Sequence, residues 1–114
     1  MDHIEVLRRL ALNDKHFAEE YVVGDAEPGR AHLDPRTLAL VRMAALVAVG
    51  GAIPSYGAEA DAAVSAGATA EEIVDVLIGV VPIVGLPSVV AAAPSLAMAL
   101  GYDVNDALER ASDP

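Results

Sequence analysis

The residue types able to do chemistry gather in one short part of the chain. Ser55, Tyr56 and Glu59 fall within GGAIPSYGAEADAAVSAGATAEEI, residues 50–73. On a helix, steps of three and four place Glu59 on a face shared with Tyr56 and Ser55. A carboxylate there can serve as a general base, with a phenol or hydroxyl orienting what it acts on. Arg42 is the sole Lys or Arg between Thr37 and Glu109, and it interrupts an otherwise apolar stretch. Its guanidinium suits bidentate binding of a carboxylate. Each residue also has a plainer reading. Arg42 can run its stem to the surface or pair with an acid on the next helix. Glu59 can be a solvated or ion-paired acid. Both readings stand at this level.

Other chemistries are excluded or unsupported by residue type. There is no cysteine, so disulfides, thiolate metal sites and cysteine nucleophiles are ruled out. His3, His16 and His32 are scattered, with no HxH or HExxH spacing, so no dedicated metal site is expected. Gly50-Gly51 lacks the lysine and the following Ser/Thr of a phosphate loop. No Ser-His-Asp arrangement can be traced, and no cofactor is implied.

The elements that must position these residues follow from composition and periodicity. The 114 residues predict a single domain spanning 1–114. Apolar residues make up 54% of the chain but aromatics only 4%, so the core must be built from Ala, Val, Leu and Ile in closely packed helices. A domain this small buries a limited share of its surface. The apolar surplus therefore predicts an association surface and a homo-oligomer. Net charge is −10, with 17 acids against 7 bases, which argues against nucleic acid or an anionic membrane as partner. MDHIEVLRR has no apolar core of a secretory signal, and the cysteine-free composition fits a cytoplasmic setting. From Val76 to Tyr102 no residue is charged, which invites a membrane reading. Pro82, Gly85, Pro87 and Pro94 interrupt that run and acids flank it, so two core helices are expected instead.

Helix signals recur along the whole chain, and no period-two pattern appears, so the fold class is all-α. DHIEVLRRLAL sets Ile4, Leu7, Leu10 and Ala11 on one face. KHFAEEY is a short second helix capped by Asn13 or Asp14, and VVGDAEPGRAH is a loop. Asp34-Pro35 starts a third helix to about Val49, with Leu40, Met43, Ala44 and Val47 on its inner face. A fourth is expected over about Ser55–Ala66, ending at Gly67. Thr69 and Glu72 form a capping box for a fifth, whose stripe is Ile73, Val76, Leu77, Val80, Val81 and Val84. Pro82 should kink it by freeing the Ile78 carbonyl. Gly85-Leu-Pro87 separates it from a sixth helix carrying Val89, Ala93, Leu96, Ala97 and Leu100. Gly101 ends that helix, and VNDALERA is a last short one.

LDPRTLALVRMAALVAVGG, a helix ending AAVSAGAT, and AEEIVDVLIGVVPIVGLPSVVAAA together resemble the carboxymuconolactone decarboxylase-like superfamily, which includes the AhpD-type alkylhydroperoxidases. The resemblance covers about residues 33–93. It implies an AhpD-like protomer of six to seven helices that assembles into trimers or hexamers. In the peroxidase branch a Cys-x-x-Cys-x-x-x-His motif opens the fourth helix. Its cysteine positions fall here on Ala52 and Ser55 and its histidine on Glu59, while the relay glutamate falls at about Ala39. Thiol peroxidase chemistry is excluded, since nothing at these positions can form a sulfenic acid or a disulfide. The lactone decarboxylase branch has no cysteines, and its histidine position is again Glu59. Two functions are therefore expected as alternatives. One is a non-redox acid/base enzyme for a small carboxylated or lactone-type substrate, with Glu59 catalytic and Arg42, Tyr56 and Ser55 binding substrate. The other is a catalytically silent oligomer keeping the scaffold for binding or assembly.

Overall fold

A computed structural model describes residues 2–18 and 32–102. All six elements among them are helices: α1 (His3–Ala11), α2 (Lys15–Ala18), α3 (Pro35–Val49), α4 (Ile53–Ser65), α5 (Ala70–Val84) and α6 (Leu86–Ala99). They fall into two compact units, Met1–Asp34 and Pro35–Pro114. The expected loop over 22–31 and the last helix over 104–111 lie outside the described residues.

In the first unit, Asp2 caps α1 by accepting a hydrogen bond from the Glu5 amide at 2.8 Å. Glu5 then accepts from Arg8 and Arg9, one turn on. Hydrogen bonds from Arg8, then Arg9, pull the Glu5 carboxyl down to about 2. Asp14 is the cap that starts α2, accepting from the His16 and Phe17 amides. The Arg9 guanidinium lies 5.9 Å from the Phe17 ring centre. The apolar face predicted for α1 exists, yet Ile4, Leu7 and Leu10 are all exposed.

The second unit is a four-helix arrangement. α3 packs chiefly on α4 and α5, and α6 packs on the same two. Its core repeats at helical spacing: Ala39, Met43 and Val47 from α3; Tyr56, Ala60 and Ala63 from α4; Ile73 and Leu77 from α5; Val89, Ala92 and Leu96 from α6. Four of these are alanines, which permit close helix approach. Met43, Ile73, Leu96 and Val47 supply the largest fully buried side chains. No charged or polar residue is buried among the described residues.

Local signals explain the boundaries. α3 spans the range expected from Asp34-Pro35 and Gly50. α4 begins earlier than expected, at Ile53. Pro54 falls in its first turn, where the missing N–H has no helical partner to lose. The capping box of α5 is complete. The Glu72 amide donates to Thr69 Oγ1 at 3.1 Å, and the Thr69 amide donates to Glu72 Oε1 at 3.1 Å. The second Glu72 oxygen pairs with Arg36, tying the start of α3 to the start of α5.

Gly85 alone connects α5 to α6, with Leu86 and Pro87 already helical. Its φ of +88° is the left-handed region that L side chains avoid, which is why this one-residue corner takes glycine. Pro82 and Pro94 sit inside α5 and α6 on exposed faces, where a freed carbonyl can turn to water. No helix among the described residues is long and apolar enough to cross a membrane.

Candidate functional site

The outer sides of α3 and α4 form an open groove of about 540 Å³, lined by Arg42, Ala45, Leu46, Val49, Ser55, Ala58 and Glu59. Helix geometry dictates the gathering. Arg42, Ala45, Leu46 and Val49 recur at steps of three and four along α3. Ser55, Ala58 and Glu59 do the same on α4. The walls are apolar, and the polar groups are one guanidinium, one carboxylate and one hydroxyl. Glu59 is half-buried, while Arg42 and Ser55 are exposed. Arg42 and Glu59 face the same groove, yet neither makes an ion pair among the described residues.

Tyr56 stands apart from this group. It is buried at 2% exposure, and its hydroxyl donates to the Leu46 carbonyl at 3.4 Å. The residue also lines a second cleft of about 240 Å³ on the α6 side, with Ser88 and Ser95. Neighbours on a helix are about 100° apart, so Ser55 can face the groove while Tyr56 enters the core. The structure thus brings Arg42, Ser55 and Glu59 together and leaves Tyr56 out of the groove.

The remaining titratable groups form no second centre here. His3, His16 and His32 are exposed, and no group of three or more His, Asp or Glu able to hold a metal occurs among the described residues. Ala52 and Ala39, where the resemblance puts a cysteine and a relay acid, are the α4 N-cap and a core residue. The cleft beside Tyr56 was missed from the sequence. Its one signal is the spacing of Ser88 and Ser95, seven residues apart and so on one face of α6.

An all-helical bundle with a groove at the start of its fourth helix defines a class of small helical proteins. Within that class, the model of the Carboxymuconolactone decarboxylase family matches residues 15–97. The chain belongs to that family. Neither a curated protein nor a solved structure gives a match.

Proposed function

We propose that the chain is a non-redox member of its family that acts by acid/base chemistry on a small carboxylated or lactone-type molecule. The observation carrying this is that Arg42 and Glu59 line one apolar-walled groove, and neither has an ion-pair partner among the described residues. Arg42 would hold a carboxylate through two parallel N–H donors. Glu59 would take a proton from the substrate and return it, and Ser55 would orient the reacting oxygen. Within such a groove the cation fixes the ligand and the carboxylate does the proton transfer, so the two residues should fail in different ways.

The test is a panel of small γ-lactone carboxylic acids, followed by NMR for binding and for consumption. For any acid turned over, Glu59→Gln should lower kcat by about 10²-fold or more, as loss of a general base does. Arg42→Met should chiefly raise KM. If Glu59→Gln leaves kcat unchanged for a substrate that the intact protein consumes, the acid/base assignment is wrong.

A specific observation also supports self-association, whether or not the groove is catalytic; the trimer or hexamer is what the family resemblance implies. Ile78, Ile83, Leu86 and Val90 of α5 and α6 are all exposed, Ile83 to 87%. Such a concentration of bare aliphatic side chains is unusual for a monomer's surface. Sedimentation of a folded monomer at micromolar concentration would remove this claim.

A further inference from the structure

The cleft beside Tyr56 has a chemistry of its own. It lies where α3 ends, between the last turn of α3 and the face of α6 carrying Ser88 and Ser95. A helix leaves its last carbonyls without intrahelical partners. In α3 the Leu46 carbonyl accepts from the Gly50 amide at 2.8 Å and also receives the Tyr56 hydroxyl. The carbonyls of Val47, Ala48 and Val49 accept nothing among the described residues, and all three residues line the cleft. Nor do the hydroxyls of Ser88 and Ser95 hydrogen-bond to any described residue. Tyr56 completes the lining, and no charged side chain of the described residues lines the cleft.

Three free acceptors at the negative end of a helix and two hydroxyls favour a positively charged hydrogen-bond donor. No basic residue among the described ones lines the cleft, and the chain's net charge is −10.

We propose that this cleft binds a small primary ammonium. Its volume of about 240 Å³ corresponds to roughly eight water molecules, which sets the size of ligand it admits. Ammonium N–H groups donate to the free α3 carbonyls, and the alkyl part lies against the alanines of α6 and the Tyr56 ring. The two serines are not equivalent. Ser88 is in the first turn of α6, whose positive end opposes a cation, whereas Ser95 is beyond the reach of that field. The ammonium therefore sits toward Ser95. This site is separate from the Arg42–Glu59 groove, and its fate does not depend on the function proposed there.

The test is a titration of the intact 15N-labelled protein with n-butylammonium, against tetramethylammonium and potassium at matched ionic strength. Tetramethylammonium has the same number of heavy atoms but no N–H to donate. Butylammonium should give saturable shifts at the amides of Gly50, Gly51 and Ser95, with a Kd in the millimolar range that a ligand of this size can reach. Ser95→Ala should weaken binding about tenfold while Ser88→Ala changes it by less than about threefold. Both positions are half-exposed helical sites where alanine is a better helix former, so both variants should fold. Equal responses to tetramethylammonium or potassium would overturn the proposal. So would the absence of saturable shifts, or a larger loss from Ser88→Ala than from Ser95→Ala.

Discussion

Glu72 is asked to hold two helices at once, and that makes it the sharpest place to test the account of the fold. Its backbone amide donates to Thr69 Oγ1 and its Oε1 accepts from the Thr69 amide, while Oε2 pairs with Arg36 of α3. Glu72→Ala removes the carboxylate from both arrangements. Loss of the capping acceptor should cost about 0.5–1 kcal/mol, toward the low end of cap deletions because the Thr69 amide can turn to water. The Arg36 pair is roughly two-fifths exposed on one side and one-third on the other, so screening keeps its share to about 0.2–1 kcal/mol. Together the expected loss is about 0.7–2 kcal/mol. Glu72→Gln retains an amide oxygen for the Thr69 N–H but loses the charge, so it should cost less than about 1 kcal/mol. That cost should shrink with added salt.

The assay is urea unfolding of both variants, of Thr69→Ala, and of the Thr69→Ala/Glu72→Ala double variant. Protein concentration is held fixed, because association would add its own contribution. The reciprocal box requires the two single losses to couple, giving a double-variant cost smaller than their sum by about 0.5 kcal/mol. Strict additivity would refute the box as a cooperative cap. A Glu72→Gln loss as large as that of Glu72→Ala would show that charge, and not the acceptor geometry, carries the effect.

The remaining predictions are shorter. Met43→Ala, at a fully buried position in the core of the four-helix unit, should cost about 2–5 kcal/mol in the same unfolding assay. Tyr56→Phe keeps the buried ring and loses only a long hydrogen bond to a carbonyl that already has a backbone partner, so it should cost no more than about 1 kcal/mol. The Glu5 carboxyl should titrate near 2 by NMR, and Arg8→Ala/Arg9→Ala should return it toward 4.5. Because that folded value is depressed, the contribution of the Glu5 pairs is complete above about 4.5 and is lost as pH falls through about 2. A wild-type midpoint above 4 would remove those pairs. Dithiol-dependent hydroperoxide turnover should not rise above background, since the chain has no cysteine to cycle.

Legibility in the sequence tracked how local each cause was. The limits of α3 and the capping box of α5 were readable because Asp34-Pro35, Thr69 and Glu72 act within one turn of chain. α4 starts before the expected Ser55 because Pro54 takes a first-turn position, where a proline costs nothing. The connection to α6 shrank to Gly85 for the same reason, with Pro87 again in a first turn. On α1 the apolar periodicity was real, but periodicity reports that a face exists and not what covers it. Ile4, Leu7 and Leu10 could be read as a stripe and not as an exposed one.

The same distinction decides what was visible of the site. Spacing put Glu59 within reach of both Ser55 and Tyr56, and no rule of spacing chooses between two residues that are adjacent in sequence. The choice is made by packing. In a core short of large side chains, with five alanines among the buried residues of the four-helix unit, an aromatic ring on α4 fills space that smaller side chains would leave. Tyr56 is the only aromatic residue in that core, so it turns inward and its hydroxyl takes the nearest acceptor, the Leu46 carbonyl. Ser55, one residue back, is thereby turned out toward Arg42 and joins the groove with Glu59. Replacing the core's need for that ring should therefore disturb the groove. A Tyr56→Ala variant would leave a cavity costing about 3–5 kcal/mol and let the start of α4 shift. Tyr56→Leu, which refills most of the space, should restore both stability and the Ser55 and Glu59 amide shifts. If Tyr56→Ala leaves those shifts in place, the ring does not set the orientation of α4.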